Sequence, residues 1–424
     1  MVYSLGRLAR AAGLLALLPG LAAAGIAPAR HVPPAPARVA DPNPGLRNDL
    51  YGVTALSPTD VWAVGYDCTA KCGTSAETDR TLIEHWDGTG WSQVTSPDPG
   101  TAVDKLFAVT AASATDAWAV GYDCSLNCHH AGERERTLVL HWNGTAWDQV
   151  ASPNPFPDEL TAVTATSATD AWAVGYYCTT GCLGSSGTDG TLIEHWNGTA
   201  WTHVTSPDPG ASPKSDYLFG AAATGPDGAW AGGSYCAANC FTPNEVDKNL
   251  ILRWNGTAWS KVTSPNPGKG QPFVTAMSAD SPTDVWAAGW SLPDNGPQKT
   301  MLLHWNGSAW SKVTAPSPGN SIILNGLSAQ SPTDVWAAGV NEDPASGAQQ
   351  TFTVHWDGTA WQQVTSPSPG LPPNPATNYL RQVSADSPTD AWAVGSYCSS
   401  HCAENSERDK TLILHWNGTA WSVS

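Results

Sequence analysis

Short apolar runs separated by turn residues fill the chain from Leu50 onward. In one stretch, LTAVTATS (160–167) alternates Leu and Val with small residues, AWAVGYY (171–177) follows a turn, and TLIEHW (191–196) is almost entirely apolar. Alternation with a period of two predicts strands, and a run that is apolar on both faces predicts a strand buried between neighbouring sheets. No sustained period of 3.6 residues is present, so the pattern predicts strands and tight turns rather than helices.

The same order of segments recurs seven times. Each unit has one Trp in a segment like WAVG and two in a segment like HWNGTAW, which together account for 21 of the 22 tryptophans and leave only Trp290. Successive WAVG-type tryptophans lie 50 to 58 residues apart. Seven such units predict an all-β fold, a seven-bladed β-propeller with four antiparallel strands per blade and a tryptophan-rich core.

Each HWNGTAW-type segment contains Asn-Gly or Asp-Gly between two strand-forming runs. This dipeptide is typical of a two-residue type I′ hairpin turn, which we therefore predict between the third and fourth strands. Five copies also spell a glycosylation sequon, but Asp87 and Asp357 fit only the turn. The sequon copies are Asn143, Asn197, Asn255, Asn306 and Asn417.

The chain begins with a different composition. We expect residues 1–24 to be a cleaved signal peptide, because two arginines precede a small-residue apolar run, with an uncleaved anchor as the alternative. Residues 25–46 form a Pro-rich linker and a possible ring-closing segment, and residues 47–424 form the propeller. VADPNPG (39–45) matches VTSPDPG (94–100), so we expect it to dock where the ring closes. The mature protein should be a secreted, extracellular monomer without a membrane span.

Charge narrows the range of partners. The net charge is −17, and removing Arg7 and Arg10 gives 18 − 37 = −19. An acidic surface repels phosphate backbones, so we expect no nucleic-acid partner and a cationic or neutral ligand instead.

The ten cysteines form five C-x₃-C pairs, each just after the second strand of a blade. In a secreted chain this spacing predicts five local disulfides that shape the loop between the second and third strands. A metal site would need two pairs to converge, and none is predicted. The pairs are Cys68/Cys72, Cys124/Cys128, Cys178/Cys182, Cys236/Cys240 and Cys398/Cys402.

The loops after the second strands differ among the seven units, and in a propeller they share one face with the connections between blades. We expect this face to bind a ligand, since aromatic rings stack on sugars while imidazoles and carboxylates orient hydroxyl groups. The candidate contacts are His129, His130, His401, Tyr122, Tyr177, Tyr217, Tyr235 and Tyr379. Acidic residues at the start of the third strand are further candidates, with a solvated ion-pair rim as the alternative: Asp79, Glu135, Asp189, Asp247 and Asp409.

Other polar residues repeat with the fold. A histidine precedes the third-strand Trp in six units and Arg253 replaces it in the fourth, so these side chains are not expected to be metal ligands. We expect them to bond neighbouring backbone from buried positions. The aspartates of the SPTD-type turns close those turns or, alternatively, form a cation site. Ca²⁺ binding by the third-strand acids is the one cofactor alternative left open.

The order WAVG…TLIEHWNGTAWTHV resembles the kelch repeat of galactose-oxidase-type propellers, with VG in place of its double Gly, and also the Asp-box-like repeats of secreted bacterial propellers. The resemblance covers Leu50 to Ser424 and implies the propeller fold. It also raises copper-radical oxidase chemistry, which needs a Tyr bonded to an unpaired Cys. Because every Cys here has a local partner, we expect the resemblance to stop at the fold and predict no cofactor.

Three functions remain open from the sequence. The first is a non-enzymatic propeller that binds an extracellular glycan or cell-surface material through its loop face. The second is a carbohydrate-active enzyme of lyase or glycosidase type, using carboxylates and His on that face. The third is a scaffold for another protein.

Overall fold

In a computed structural model, the chain forms seven four-stranded antiparallel sheets, each with its strands in sequence order. The structure describes residues 43–72, 74, 76–125, 135–155, 158–180, 188–211, 215–240, 242, 245–266, 271–293, 296–318, 321–343, 346–370, 377–400 and 408–424. The predicted all-β, seven-bladed propeller is confirmed. Among the described residues there is no helix with the length and apolar character needed to cross a membrane.

The strands occupy equivalent positions in all seven blades. The first strands are Arg47–Ser57, Val103–Ser113, Asp158–Ser167, Asp216–Gly225, Gln271–Ser281, Ser321–Ser331 and Asn378–Ser387. The second strands are Asp60–Ala70, Asp116–Cys124, Asp170–Thr180, Gly228–Ala238, Asp284–Leu292, Asp334–Glu342 and Asp390–Ser400. The third strands are Thr78–Trp86, Glu135–Trp142, Thr188–Trp196, Val246–Trp254, Lys299–Trp305, Gln349–Trp356 and Arg408–Trp416. The outer strands are Trp91–Gln93, Trp147–Gln149, Trp201–His203, Trp259–Lys261, Trp310–Val313, Trp361–Val364 and Trp421–Val423.

The core lies between blades and is built on the repeated tryptophans. Trp62 of blade 1 is 2% exposed, and its ring lies 4.9 Å from Trp142 and 5.3 Å from Trp147 of blade 2. The same arrangement joins blade 7 to blade 1, where Trp392 lies 5.2 Å from Trp86 and 5.4 Å from Trp91. Each blade therefore buries one face on the preceding blade and one on the next, which explains the nearly all-apolar third strands.

The hairpin between the third and outer strands has four residues, so the predicted two-residue type I′ turn was wrong. In blade 2 the turn is 143–146, and Gly144 has a φ of 90° whereas Asn143 does not have a positive φ. The Asn143 Oδ1 atom accepts bonds from the Thr145 amide, the Thr145 hydroxyl and the Ala146 amide. Asp87 makes the same bonds in blade 1, so the side-chain oxygen organises the turn, and Asn and Asp serve equally well.

The outer strands are short. After three or four residues they give way to the SPDPG-type segment, whose prolines have no N–H for a strand ladder. Beyond the outer strand, a side chain instead of the backbone bonds the third strand. Asp98 Oδ1 accepts a hydrogen bond from the amide of Thr81, and Asp208 Oδ1 accepts one from the amide of Thr191.

Candidate functional site

One end of the propeller carries both the loops between second and third strands and the connections between blades; we call this end the loop face. Backbone bonds join the two sets. The amide of Asp79, at the start of a third strand, donates to Ala102 in the connection to blade 2 at 2.9 Å. The amide of Cys236 donates to Ser215 at 2.9 Å in blade 4. These bonds hold the connections between blades against the second and third strands at this end of the propeller.

Two of the predicted disulfides are described completely. Cys68–Cys72 and Cys236–Cys240 each join Cα atoms 5.7 Å apart. Both enclose a non-glycine residue with positive φ, Lys71 at 54° and Asn239 at 56°, and the same turn bonds follow in each loop. Cys124, Cys178 and Cys398 are also disulfide-bonded. Their predicted partners Cys128, Cys182 and Cys402, together with the candidate ligand contacts His129, His130 and His401, lie outside the described residues.

The third-strand acids lie at the boundaries between blades. The Asp79 side chain is fully buried, and the Lys105 ammonium of blade 2 lies 2.9 Å from its carboxylate. Burial raises the pKa of Asp79, and the Lys105 charge opposes that rise. Asp189 accepts a 2.6 Å hydrogen bond from the Tyr217 hydroxyl of blade 4. Burial raises the pKa of Asp189, and the bond from Tyr217 opposes that rise. These two carboxylates therefore hold the first strand of the next blade.

The remaining acids show the same placement with different neighbours. Asp247 is 8% exposed, and burial together with the Glu245 charge raises its pKa to about 7. Glu135 is also 8% exposed. The Asp409 carboxylate lies 4.0 Å from the Arg47 guanidinium of blade 1.

The candidate tyrosines divide between the axis and the periphery. Tyr217 and Tyr379 stand on first strands, around the central axis, and Tyr379 donates to the Gln349 side chain of blade 6. Tyr122 packs 5.7 Å from Phe107 of its own first strand. The other two tyrosines contact outer strands instead: Tyr177 lies 6.1 Å from His203, and the Tyr235 hydroxyl bonds Lys261 at 2.6 Å.

One position in the first strand was not recognised from the sequence; it lies directly after a constant Leu or Val and beside a register shift. Small polar residues at this position bond the next blade: Thr161 donates to Leu218 O at 2.8 Å. Longer side chains instead meet around the axis and are half-buried. They are Tyr51, Phe107, Phe219 and Arg381. The available signal was variability: after the constant Leu or Val, the seven repeats take five residue types at this position.

We define the axial cluster as the side chains that meet around the axis at the loop face. Arg381 lies over the rings of Tyr51 at 4.6 Å and Tyr379 at 5.0 Å, and 3.4 Å from the Asp49 carboxylate. Its Nε atom is buried without a hydrogen-bond partner among the described residues. Aromatic contacts continue the cluster from blade 1 to blade 2, and a second set of aromatic contacts joins blade 3 to blade 4. The members are Asp49, Tyr51, Tyr66, Lys105, Phe107, Tyr122, Glu159, Tyr176, Tyr217, Phe219, Tyr379 and Arg381.

Burial sets the protonation of the aromatic part of this cluster. It raises the pKa of Tyr51, Tyr66, Tyr122 and Tyr176 well above the usual tyrosine value. Nearby carboxylates add to the effect, and the charge of Glu159 further raises the pKa of Tyr176. These phenols therefore remain neutral hydrogen-bonding groups and stacking surfaces at physiological pH.

Among the described residues, two clusters combine cysteine and carboxylate groups, but neither offers a thiolate. They are Cys68, Glu77, Asp79 and Cys236, Glu245, Asp247. Both cysteines are in disulfides, so only carboxylate oxygens could bind a metal, whereas Ca²⁺ takes six to eight oxygen ligands. In the first cluster, Lys105 already supplies a positive charge to both carboxylates.

The repeated histidines occupy the opposite end of the strands. The expectation that they bond backbone from buried positions was wrong, because each Nε2 faces the aspartate of the SPTD-type turn at 2.6–3.2 Å. Their side chains are 26–30% exposed. Each ring also packs on its blade's buried Trp, as His195 does on Trp172 at 4.1 Å. In blade 4 both partners change together: Gly228 replaces the aspartate, and Arg253 lies over Trp230. The pair is a structural unit of the repeat.

Comparisons with known proteins support the fold. No protein-family model matches the sequence, and no curated protein sequence matches it either. An ulvan lyase of polysaccharide lyase family PL25 is similar in structure, with a TM-score of 0.58 at 12% identity, covering 90% of this chain and 96% of the lyase. The same lyase bound to -[GlcA(1-4)Rha3S]- gives 0.56 over the same shares. YCF48 bound to D1 peptide gives 0.49 at 14% identity, covering 88% of this chain and 92% of that one. At 12% identity the likeness to the lyase concerns the propeller fold alone, and it does not identify a kelch-type family.

Proposed function

We propose that this chain is a secreted, non-enzymatic β-propeller that binds an extracellular glycan or cell-surface material through its loop face. The observation that carries the proposal is the axial cluster, in which half-buried aromatic rings and charged side chains meet around the axis at the loop face. Sugar recognition uses flat aromatic surfaces together with a few convergent polar groups.

The surrounding structure supports a fixed binding surface. Disulfides close the turns at Lys71 of blade 1 and Asn239 of blade 4 in the same conformation, and the axial side chains stand on strands rather than on loops. Groups held by strands and by packing lose little freedom on binding, which favours affinity. The C-x₃-C disulfides and the Arg-containing, small-residue N-terminal segment support an extracellular location.

The test is a glycan array probed with the full secreted chain and a matched variant. The double variant Phe107→Thr/Phe219→Thr places at both positions the residue that blades 3 and 5 carry there, so the fold should tolerate it. We expect binding to fall by at least about tenfold, because two stacking surfaces are lost. Gln93→Ala, on the exposed outer strand of blade 1, is the control and should bind normally. Equal binding by the double variant would refute the assignment to the axial cluster.

An enzyme is the second candidate, and a specific contact favours it. The Tyr176 hydroxyl donates to Glu159 at 2.7 Å, which places a neutral phenol beside a carboxyl group at the axis. Phenols and carboxyls can act as general acids and bases on a sugar. New reducing ends or unsaturated products from a polysaccharide that the array identifies would establish catalysis, and their absence would leave binding as the function.

A further inference from the structure

The end of the propeller opposite the loop face carries a contact that repeats in six blades. A third-strand histidine there places its Nε2 atom 2.6–3.2 Å from the carboxylate of the aspartate that begins the second strand. The histidine ring also packs on the buried Trp of the second strand, as His195 does on Trp172 at 4.1 Å. Each of these six blades therefore supplies its own carboxylate to the third-strand side chain.

Blade 4 has neither the histidine nor the aspartate. Gly228 begins its second strand, and Arg253 stands in the register that the histidines occupy in the other blades. The guanidinium carbon of Arg253 lies 5.1 Å from the ring centre of Trp230 and 5.6 Å from that of Trp305 in blade 5. Contacts with two aromatic rings restrain the guanidinium but use none of its N–H groups.

The guanidinium of Arg253 has no acceptor in the part of the chain that the structure describes. Arg253 is half-buried, its Nε atom is buried without a hydrogen-bond partner, and none of the described carboxylates forms an ion pair with it. The Asp227 carboxylate, in the turn before Gly228, lies against Gly256 of the hairpin instead. Arginine carries five N–H donors, and a buried donor without an acceptor loses free energy that a bound acceptor would restore.

The position that an aspartate side chain fills in six blades is open in blade 4. A Cβ added at Gly228 would meet, beyond its chain neighbours, only Thr224 within 4 Å, whose hydroxyl oxygen would lie 2.7 Å away. In blade 3 the equivalent hydroxyl, that of Thr166, donates to the Asp170 carboxylate, whereas Thr224 donates to the Gly228 carbonyl at 3.2 Å. A carboxylate that enters here would therefore meet a guanidinium and a hydroxyl donor.

We propose that Arg253 and Thr224 bind a carboxylate group of a ligand at the end of the propeller opposite the loop face. Guanidinium groups pair with carboxylates through two parallel hydrogen bonds, and a guanidinium held by aromatic rings loses little freedom on binding. Because each of the other six blades fills its own carboxylate position, blade 4 provides a single site. The net charge of −17 repels polyanions over longer range, so the site favours a mainly neutral molecule with one carboxylate. A uronic acid in a neutral glycan and a glutamate side chain both present that group.

The experiment is a ligand-observed NMR titration of the full chain with glucuronate, with the α-amide of N-acetylglutamate and with uncharged glucose. We expect at least one of the two carboxylates to bind at least about tenfold more tightly than glucose, because only a carboxylate pairs with the guanidinium. Gly228→Asp/Arg253→His gives blade 4 the pair of the other six blades and should abolish that preference. Arg253→Lys keeps the charge but loses the planar fork, so it should weaken binding about fivefold and guards against a folding defect in the double variant. Lys410→Glu, an equal charge change at an exposed position of blade 7, should keep the preference.

The outcomes separate this site from the loop face. A preference for carboxylates that survives Gly228→Asp/Arg253→His overturns the inference, as does binding of neither carboxylate. Binding of glucuronate alone supports the site and assigns the carboxylate to an acidic sugar, whereas binding of the glutamate derivative alone supports it and assigns the carboxylate to a protein side chain. The Phe107→Thr/Phe219→Thr variant should bind the carboxylates as the wild type does. Loss of binding in that variant would place the carboxylate at the axial cluster and overturn the site in blade 4.

Discussion

The Asn43 side chain accepts a hydrogen bond from the backbone amide of Thr411, 368 residues later in the chain, at 2.9 Å. Within continuous blades the same bond joins residues 17 apart, as from Thr191 to Asp208. The segment before the first strand of blade 1 thus supplies the side-chain acceptor for the third strand of blade 7. In blades 1, 2, 3, 4 and 6, the SPDPG-type segment of the same blade supplies that acceptor. Asn48 adds a second link, since its amide donates to Asp409 O at 3.3 Å.

We therefore expect Asn43→Ala to destabilise the ring at its closure. The variant loses an acceptor for a buried amide, which should cost about 1 kcal/mol and lower the Tm by about 1–3 °C. Asp208→Ala removes the matching bond inside blade 3 and provides the comparison. Deletion of residues 1–45 should lower the Tm further. A deletion variant with the same Tm as the full-length protein would exclude a role for this segment in closing the ring.

The fold was predictable because its determinants repeat. Trp62 and Trp118 recur at fixed positions, and a period of about 55 residues with three tryptophans has few structural solutions. The turn at Asn143 was not predictable from its Asn-Gly dipeptide, because three bonds to a side-chain oxygen decide its conformation. Phe219 and Arg381 escaped notice for a related reason. Their direction follows from a register shift in the first strand, and no residue type recurs there to reveal it.

The inter-blade tryptophans should dominate stability. Trp118 is fully buried and contacts Trp196 at 4.8 Å and Trp201 at 5.1 Å across the boundary to blade 3. Trp118→Ala should reduce the free energy of unfolding by about 3–5 kcal/mol, through lost burial and an unfilled cavity. Trp142→Ala, which truncates a partly exposed ring, should cost clearly less. Denaturant unfolding followed by tryptophan fluorescence measures both, and equal losses would contradict the inter-blade account.

The disulfides should affect stability less than their number suggests. A ring closed over five residues gains about 2 kcal/mol in the chain-entropy account, so Cys236→Ala/Cys240→Ala should lower the Tm by only a few degrees. The loop should change more, because Asn239 keeps a φ of 56° under the constraint of the bridge. Hydrogen exchange at residues 236–242 should accelerate strongly while the second-strand core stays protected. Cys68→Ala/Cys72→Ala should repeat the pattern in blade 1, and global unfolding in either variant would show a larger structural role.

Glu194 places a carboxyl group in the apolar boundary between blades 2 and 3. It is fully buried, and neither oxygen has a hydrogen-bond partner among the described residues. Burial, with a smaller contribution from the Asp158 charge, raises the pKa of Glu194 to about 9. The folded protein therefore keeps this proton up to about pH 9, whereas the unfolded chain releases it near the ordinary value of 4.5. Because the unfolded state binds fewer protons across that range, this group lowers stability progressively as the pH rises from about 5 to 9.

Replacement of Glu194 should remove that loss. Blades 2, 4, 5 and 7 carry Leu at the equivalent position, so the Glu194→Leu side chain suits the boundary. At pH 8.5 we expect the variant to have a higher Tm than the wild type, with an unfolding free energy larger by on the order of a few kcal/mol. At pH 5.5 the gain in unfolding free energy should be much smaller. Calorimetric melts at the two pH values measure the difference. A gain of the same size at both would mean that apolar packing, rather than the titration of this carboxyl, accounts for the effect.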